Sequence, residues 1–589
     1  MTMHPQVSYL IPAETERVAR AAFPKGSPIM RIRDQLGMLF DDTDFTALFP
    51  QVGQLAISPA RLMLVTLFQF MEGLGDRQAA DAVRRCIDWK YALALELTDP
   101  GFHFSVLQEF RDRLVEADRG RALLEHFLTT CRDRGLVKAR GKQRTDATHV
   151  LASIRSLNRL ECLGETLAHT LHQLLRDAPG WARTTIPAAW WDRYGPRFDQ
   201  FRLPPTLAER EALALAIGAD GRQLLSLSQA VTAPDRVRQH QAVQLLRRVW
   251  IQQFYAEEEA LRLRTEKDLP PAARLIGSPY DPDARVSTKR ETTWNGYKVH
   301  LTETCDADGP NLITDVQTTP ATTADVEVTR SVHTALAARE LLPAEHFVDS
   351  AYPDAETLVE SQNQGIDLVG PVHRDTSWQA QAGQGFDMTC FTIDWARKTA
   401  RCPQGQISRR WTSTHDQDEN AVIQIQFDRE TCGACGERES CTRAERGPRI
   451  LKLRPQVQYE ALLAARTRQQ TEEFKQRYQR RAGIEGTISQ GTHGFDLRYA
   501  RYRGLAKTAL QHVFVALALN LARLLAWWAR GHDQGPRIPS WYRERPARGE
   551  EPWGPVPWPQ AASSSSVERS DAANSRSWAW RGACRSLPS

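Results

Sequence analysis

The sequence predicts a mixed α/β protein, because strand-like and helix-like stretches alternate through its middle. Residues 294–302 and 311–317 alternate polar with β-branched or apolar side chains, as a strand and its hairpin partner do. Helical patterns follow at 325–339 and 354–362. Short apolar strands are predicted after each of them, at 346–349 and 366–369. This order favours one mixed sheet covered by helices.

The length and composition indicate a multidomain soluble protein. At 589 residues the chain is too long for one core, and about two to four domains are expected. The net charge is only +5, so any nucleic-acid surface must arise from local clustering. Residues 1–24 lack the apolar segment of a secretory signal, which predicts a reducing cytoplasm.

The most apolar stretch, 505–528, is long enough to cross a bilayer, but polar residues interrupt it. These residues are Lys507, Gln511, His512, Asn520 and Arg523. We therefore expect a buried amphipathic helix and no membrane partner.

Helical signals dominate the first part of the chain. Ser58, followed by Pro59, is a helix N-cap pattern. Ser105 opens a capping-box pattern for a later helix, while residues 1–56 are expected to be mixed and partly extended. Such a helical module could bind DNA; a plain bundle for packing or dimerisation is the alternative.

The next strand is predicted at 145–154, with Asp146 at its start. Residues 156–265 then follow a helical pattern and are interpreted as a helical insertion. A second insertion, 371–455, is polar, is composed of short strand-like pieces and is rich in cysteine.

Four cysteines in this second insertion have the spacing of a structural zinc site. Cys432 and Cys435 form a CxxC knuckle, Cys441 follows, and Cys402 lies in a separate Cys-Pro turn. Four thiolates would complete a tetrahedral Zn²⁺ site with no open position, and the metal would supply folding energy. Cys390, His373 and His415 compete for the place of Cys402. A set of free thiols is the alternative to a metal site.

A single glutamate stands in a basic segment near the C-terminal end. Between Lys475 and Lys507 there are eight Lys or Arg residues and only two acids, Glu485 and Asp496. On a helix, Arg481 would share a face with Glu485. An acid in such surroundings suits a metal ion at a phosphate backbone, although a surface ion pair is the alternative.

Asp146, Asp349 and Glu485 form the candidate catalytic set. Phosphoryl transfer on nucleic acid requires charge neutralisation at the attacking and leaving oxygens, which two Mg²⁺ ions about 3.5–4 Å apart provide. Hard divalent ions prefer the oxygen ligands of Asp and Glu. Taken singly, Asp146 is more often a strand-edge or turn residue than a metal ligand, and Asp349, which precedes Ser-Ala-Tyr-Pro, is also compatible with a turn.

Further motifs accompany these acids along the chain. They are Gly75-Asp76-Arg77-Gln78-Ala79-Ala80, Asp88-Trp89-Lys90-Tyr91, Asp146-Ala147-Thr148, Trp294-Asn295-Gly296-Tyr297-Lys298, Val348-Asp349-Ser350-Ala351-Tyr352, Gly483-Ile484-Glu485-Gly486 and Arg501-Tyr502-Arg503-Gly504-Leu505. Across residues 57–530 the chain resembles a bacterial insertion-sequence transposase of the DDE class. The tyrosine, arginine and glutamate signature of that family falls on Tyr478, Arg481 and Glu485 of this sequence.

This resemblance implies a ribonuclease-H-like catalytic core with Asp146, Asp349 and Glu485 as ligands of Mg²⁺ or Mn²⁺. It also implies a helical N-terminal module that binds the element's ends, and a homodimer or higher assembly on double-stranded DNA. Hydrolysis at each end would free a 3′-hydroxyl that attacks target DNA. The protein would be cytoplasmic and associated with the nucleoid when bound.

The lysine expected seven residues after the glutamate is absent, since Thr492 stands there. Other cations are therefore candidates for backbone contacts, which position DNA without reading its sequence. The predicted DNA-binding residues are Tyr478, Arg481, Arg498, Arg501, Arg503, Lys507 and Lys298. Trp294, Tyr297 and Tyr352 are candidates for base stacking, with core packing as the more common role.

The resulting domain prediction divides the chain into six parts. They are an N-terminal module (1–140), the first part of the catalytic core (141–155 and 279–370), the helical insertion (156–278), the Cys-rich insertion (371–455), the glutamate-bearing part of the core (456–530) and a disordered tail (531–589). Two alternatives to a transposase remain at this point. One is a metal-dependent nuclease that does not join strands, and the other is an inactive DNA-binding repressor.

Overall fold

A six-stranded mixed sheet lies at the centre of the protein in this computed structural model, which describes residues 2–6, 8–50, 52–195, 203–258, 260–289, 291–417 and 419–531. The predicted disordered tail, 531–589, lies outside the described residues except for its first residue. The strands are β1 (Lys142–Leu151), β2 (Phe254–Glu257), β3 (Ala260–Leu263), β4 (Arg285–Lys289), β5 (Thr292–Thr304), β6 (Ile313–Pro320), β7 (Glu345–Phe347), β8 (Asp367–Val369), β9 (Thr392–Asp394), β10 (Thr399–Arg401), β11 (Arg410–His415), β12 (Ala421–Gln426) and β13 (Ile450–Leu453).

Helices occupy much of the remaining chain. They are α1 (Ala13–Ala22), α2 (Pro28–Leu36), α3 (Pro59–Glu72), α4 (Asp76–Arg85), α5 (Ile87–Ala92), α6 (Ser105–Glu116), α7 (Gly120–Asp133), α8 (Arg159–Asp177), α9 (Pro179–Thr185), α10 (Ala188–Tyr194), α11 (Leu207–Gln229), α12 (Asp235–Arg238), α13 (Gln241–Gln253), α14 (Asp325–Ala338), α15 (Ala355–Asn363), α16 (Trp378–Ala382), α17 (Arg429–Gly433), α18 (Arg438–Cys441), α19 (Gln456–Arg468), α20 (Glu472–Tyr478), α21 (Gly483–Phe495) and α22 (Leu505–Trp528). The mixed α/β class predicted from the sequence is confirmed.

The central sheet has the order β4-β5-β1-β7-β8, and β6 also pairs with β5. β1 is antiparallel to β5 and parallel to β7, which in turn is parallel to β8. The long strand β5 divides its other edge between β4 and β6. β1 therefore lies inside the sheet, where its side chains are held from both sides.

The N-terminal helices share one hydrophobic core with this sheet and with α22. Phe70 of α3 packs on Phe514 of α22, with ring centroids 5.5 Å apart. From β5, Val299 and Leu301 join the same cluster, and both are fully buried. The helices α3 to α7 and the sheet consequently form one packed body.

Helix α22 is the only helix in the described part of the chain that is long and apolar enough to cross a membrane, and 83% of its most apolar window is buried inside the protein. Its polar residues have partners within the core. Asn520 accepts from the backbone N–H of Ile313 at 2.7 Å and donates to the same residue's carbonyl at 2.9 Å. Gln511 likewise accepts from Arg501 N at 2.7 Å. These side chains tie α22 to the sheet and to the chain preceding it.

After β1 the chain leaves the sheet for a helical segment, 159–253, before returning at β4. Helices α8, α11 and α13 pack around their own cluster, which includes Leu167, Leu171 and Trp250. The β2–β3 hairpin follows α13, within a region that the sequence predicted as helical. The side chains of this hairpin mostly face solvent. Its sequence therefore carries little of the alternation between buried and exposed residues that identifies a strand.

The segment 371–455 is built from small sheets and short helices. β9 pairs with β10, and β11, β12 and β13 form a second antiparallel sheet. Its core is small and comprises Phe391, Ala400, Ile425, Phe427, Leu451 and Leu453. The strand-like pieces predicted for this segment are confirmed.

Two local predictions near the N-terminus are wrong. Residues 1–56 hold α1, α2 and a 3-10 helix at Asp42–Leu48, where partly extended chain was expected. The Ser27 hydroxyl accepts from Met30 N at 3.1 Å and caps α2, a signal of the same kind as the one at Ser58. The Ser105 capping box does not form, because Ser105 is already the first residue of α6.

Candidate active site

Asp146 and Asp349 lie at the point where two parallel strands separate. The last pair of β1 with β7 is Arg144 with Phe347. Each aspartate follows its strand's member of that pair by two residues, so the register brings the two acids level on one face. The sequence therefore brings together two acids that are far apart along the chain.

The position of Asp146 within its strand corrects one prediction. Asp146 was expected at the start of a strand, yet β1 begins at Lys142 and Asp146 lies in its interior. Polar residues at the beginning of β1 concealed this start. Gln143 and Thr145 are fully buried and satisfy their side chains through Leu341 and His346.

Glu485 approaches these acids from α21. The chain before it is not one continuous helix, because a 3-10 turn at Gln479–Ala482 separates α20 from α21. Arg481, in this turn, donates from Nη1 to Glu485 Oε1 at 2.6 Å and from Nη2 to Asp146 Oδ2 at 2.5 Å. One guanidinium thus bridges the acid of β1 and the acid of α21, and the Arg481–Glu485 pair anticipated from helical spacing is present.

An open cavity of about 260 Å³ lies between β1 and α21. It is lined by Asp146, Ala147, Thr148, Glu485, Ile488, Ser489, Thr492, His493 and Arg498. The pairing of β1 with β7 ends at Arg144, and the next β-bridge that β1 makes on this edge joins Leu151 to Tyr499. The cavity opens in the interval between these two pairings.

Burial raises the pKa of Asp146 to about 6, and the nearby charge of Asp349 adds to this rise. The guanidinium of Arg481 and the backbone N–H of Ala147 oppose it. A carboxylate with a raised pKa in a cleft, close to a second carboxylate, is typical of a site that holds charge for a function. Glu485 is more open to solvent, with 64% of its side chain exposed.

No three His, Cys, Asp or Glu side chains of the described residues are gathered closely enough to hold a metal ion. The donor chemistry nevertheless fits a divalent cation, because Asp146, Asp349 and Glu485 offer the oxygen ligands that hard ions prefer. Asp349 has one carboxylate oxygen, Oδ1, in contact with the backbone N–H of Ala351 at 2.9 Å. Its loop is therefore fixed by a short local hydrogen bond.

Tyr478 lies on the side of the site towards β7. Its ring stacks on Phe474, with centroids 5.6 Å apart and planes 9° apart. Burial raises the pKa of its phenol, and Asp349 and Asp146 add to this rise. Tyr478 therefore packs beside the acids as an uncharged phenol.

The cations predicted to bind DNA fall into two groups. Arg498 lines the cavity and donates from Nε to Thr148 Oγ1 at 2.8 Å, and Arg503 is exposed with its guanidinium over the Tyr280 ring. Both lie at or near solvent. They are the members of the predicted set that are best placed to meet a phosphate backbone.

The second group makes contacts within the protein. Arg501 donates to the carbonyl of Leu74, lies over the ring of Phe70 and pairs with Asp496. It thereby joins α3 to the chain that follows α21, which is a packing role.

Two lysines belong to the same group. Lys298 pairs with Asp325 at 2.9 Å and is 17% exposed. Lys507 pairs with Asp112 at 2.7 Å and keeps 44% of its side chain exposed. Lys507 therefore remains the more accessible of the two.

The aromatic residues considered for base stacking are buried. Trp294, Tyr297 and Tyr352 are each 5% exposed or less. Tyr297 donates to Asp281 Oδ1 at 2.5 Å, and the Tyr352 hydroxyl lies 2.8 Å from His300 Nδ1. These contacts support the core-packing alternative.

The four cysteines of the predicted zinc site line one small cavity of about 60 Å³. They are Cys402, Cys432, Cys435 and Cys441, and all four are free thiols. The Cys402 sulfur accepts the backbone N–H of Gln406 at 3.3 Å. Burial raises the pKa of the Cys441 thiol, and the other three cysteines add to this rise.

The competing ligands do not share this cavity. Cys390, His373 and His415 are absent from the described residues that line it, and Cys390 is exposed beside Asp387. Of the four candidates for the fourth ligand, Cys402 is the one that lines this cavity among the described residues.

Sequence reasoning missed a buried carboxylate beneath the site. Glu303 of β5 is fully buried and contacts Arg144, Thr487 and Arg523. The available signal was a charged residue, Glu303, among the buried residues of β5. Ser489 and His493, which line the cavity one and two turns beyond Glu485, were also missed.

Comparison with known proteins gives two family matches. The family described as Transposase DDE domain matches residues 401–525, and the family described as Transposase domain (DUF772) matches residues 17–113. The first match contains Glu485 and the four cysteines, whereas Asp146 and Asp349 lie outside both. No curated protein and no solved structure gives a significant match. The two matches confirm the resemblance to insertion-sequence transposases.

Proposed function

We propose that Asp146, Asp349 and Glu485 are the catalytic acids of this chain, which is a DDE-type DNA transposase of the insertion-sequence class. The observation that carries the proposal is the bridge from Arg481 to both Asp146 and Glu485 at the rim of one cavity. The positions of Asp146, two residues beyond the last β1–β7 pair in β1, and of Asp349, two residues beyond the end of β7, support the third member.

DDE transposases use divalent metal ions, and we propose Mg²⁺ or Mn²⁺ held by the three acids. When bound, such ions stabilise charge on the attacking and leaving oxygens of a phosphodiester. In the structure Arg481 pairs with both Asp146 and Glu485, so its single positive charge offsets part of the repulsion between these carboxylates.

The cavity wall supplies groups for the DNA backbone. Arg498 in this wall and the exposed Arg503, which does not line the cavity, are proposed to contact phosphates, and Ser489 and His493 add polar side chains on the same helix as Glu485. Such contacts fix the register of DNA without reading its bases. Thr492 lines the cavity where the family has a lysine, so Arg498 supplies the positive charge on that wall.

The topology supports a ribonuclease-H-like core as a further proposal. β1 lies between an antiparallel neighbour and a parallel one, and the acids come from β1, from the end of β7 and from a helix. The six-part domain division, with a DNA-binding N-terminal module and two insertions, is proposed on the same basis. A homodimer or higher assembly would bring two element ends together for hydrolysis and strand transfer.

We also propose that Cys402, Cys432, Cys435 and Cys441 bind a structural Zn²⁺. Four thiols around one small cavity match the ligand number and type of a closed zinc site. The sulfur of Cys402 accepts the backbone N–H of Gln406, a contact that fixes the position of its side chain. The site would hold the turn after β10 against α17 and α18.

The proposed catalytic acids are tested by cleavage and strand transfer on a DNA fragment that carries the element's end, with Mg²⁺. Asp349→Asn keeps the side-chain shape but removes the charge that would hold the metal. We expect wild type to cut and join and Asp349→Asn to bind DNA while losing at least about a thousandfold in cleavage rate, since metal-held charge stabilisation contributes several kcal/mol.

Asp354→Asn is the matched control. Asp354 lies five residues later and caps α15 by accepting from Thr357 N at 2.7 Å, a role that asparagine performs equally well. Equal cleavage by wild type and Asp349→Asn would remove Asp349 from the site. Cutting without joining would favour the nuclease alternative, and binding without cutting by wild type would favour the repressor.

A further inference from the structure

A buried charge network lies directly beneath the candidate active site. At its centre is Glu303 of β5, whose side chain is fully buried. Arg144 Nε donates to Glu303 Oε1 at 2.6 Å, while Thr487 Oγ1 and Arg523 Nη1 donate to Oε2 at 2.6 and 2.5 Å. One carboxylate therefore connects β1, α21 and α22.

Two of these contacts stand next to catalytic acids. Arg144 is the antiparallel partner of Glu303 and precedes Asp146 by two residues, so both project from the same face of β1. Thr487 follows Glu485 by two residues, which on a helix turns it about 200° away. Glu485 consequently meets the cavity while Thr487 meets Glu303.

The beginning of α21 is fitted to the same arginine. Arg144 Nη1 donates to the carbonyl of Arg480 at 2.7 Å, in the turn that leads into the helix. A Cβ atom at Gly483 would lie only 1.8 Å from Arg144 Nη1. Glycine at this position is what allows the guanidinium to pass under the start of α21.

We infer that Glu303 and Thr487 are positioning residues that set the separation of Asp146 and Glu485, an inference that rests on the proposed function. Glu303 holds the acid-bearing strand through Arg144 and the acid-bearing helix through Thr487. Arg523 braces the same pair by donating to Thr487 Oγ1 at 2.6 Å. Groups that orient metal ligands in this way typically change metal affinity about 10–100-fold when removed.

The test uses the full chain and the variant Thr487→Val, which keeps the side-chain shape and deletes the hydroxyl. Mn²⁺ binding is measured by titration calorimetry without DNA, and the Mn²⁺ dependence of DNA cleavage is measured separately. We expect affinity for Mn²⁺ to fall about tenfold, with Thr487→Ser restoring it.

Thr66→Val is the matched control, because Thr66 is equally buried and its hydroxyl donates to Leu62 O on the remote helix α3. It should change thermal stability alone. If the wild-type protein binds Mn²⁺ and cuts DNA, an unchanged Mn²⁺ affinity in Thr487→Val would overturn the inference. A wild type that neither binds Mn²⁺ nor cuts DNA would instead overturn the proposed function.

Discussion

The central sheet and the cysteine-rich segment 371–455 are held together in different ways. The sheet shares a large apolar core with α22 and the N-terminal helices, and Glu303 lies buried within it as the centre of a charge network with Arg144 and Arg523. The segment 371–455 has six buried apolar residues in its cluster and four thiols around one cavity. Apolar burial stabilises the first region, whereas we expect the second, with its small apolar core, to depend on the proposed zinc.

Loss of the proposed zinc should separate the stabilities of the two regions most strongly. Cys435→Ser is expected to lower bound zinc from about one ion per chain to none, because a closed site requires all four ligands. Segment 371–455 should then be cut rapidly by protease while the sheet stays resistant. Metal analysis by mass spectrometry and limited proteolysis measure the two effects.

Cys390→Ser provides the control within the same segment, since Cys390 is exposed and lies outside the thiol cavity. It should leave both zinc content and protease resistance unchanged. Equal zinc content in wild type and Cys435→Ser would show that the thiols do not form a metal site.

Loss of the buried carboxylate of Glu303 should lower the free energy of unfolding substantially, although with a smaller effect than the loss of the proposed zinc. Glu303→Gln leaves Arg144 and Arg523 without their negative partner, and about 3–5 kcal/mol of the free energy of unfolding should be lost. Urea denaturation followed by tryptophan fluorescence measures this change. Glu14→Gln, in an exposed pair with Arg17, should cost at most about 1 kcal/mol. Similar losses for the two variants would contradict a structural role for the network.

Acid should separate the two regions more gently. Burial lowers the pKa of His512 to about 3 and that of His300 to about 4, from an ordinary value of 6.5. Between its lowered pKa and 6.5, each of these histidines binds more protons in the unfolded chain than in the folded one. The free energy of unfolding therefore has its full value above pH 6.5 and falls as the pH decreases. The loss for His512 should be about 1.4 kcal/mol per pH unit within this window.

The variant His512→Gln removes one of these titrations. Its urea midpoint should decline less than that of wild type between pH 6.5 and 4.5. Parallel declines in the two proteins would show that His512 does not couple folding to protonation.

The sequence was informative where a local pattern and the tertiary environment agreed. The strands around Trp294 and Asp367 and the helix capped by Ser58 follow from alternation and capping. The start of β1 could not be predicted, because the buried polar residues Gln143 and Thr145 find their partners only in the folded sheet.

The candidate site was predicted through family motifs and not through spacing. Nothing local relates Asp146 to Glu485, since the link between them is an arginine contact made after folding. Glu303 and Thr487 were missed for the same reason. Their partners come from three elements that are distant along the chain.

The contacts of Arg501 have a consequence for how this transposase measures DNA. Its guanidinium ties Leu74 and Phe70 of the N-terminal region to Asp496, just after the helix of Glu485. If the N-terminal helices bind the element's end as proposed, these contacts and the shared apolar core join the recognising helices directly to the helix of Glu485. The packing of these elements would then fix the distance, in base pairs, between the recognised sequence and the cleaved bond.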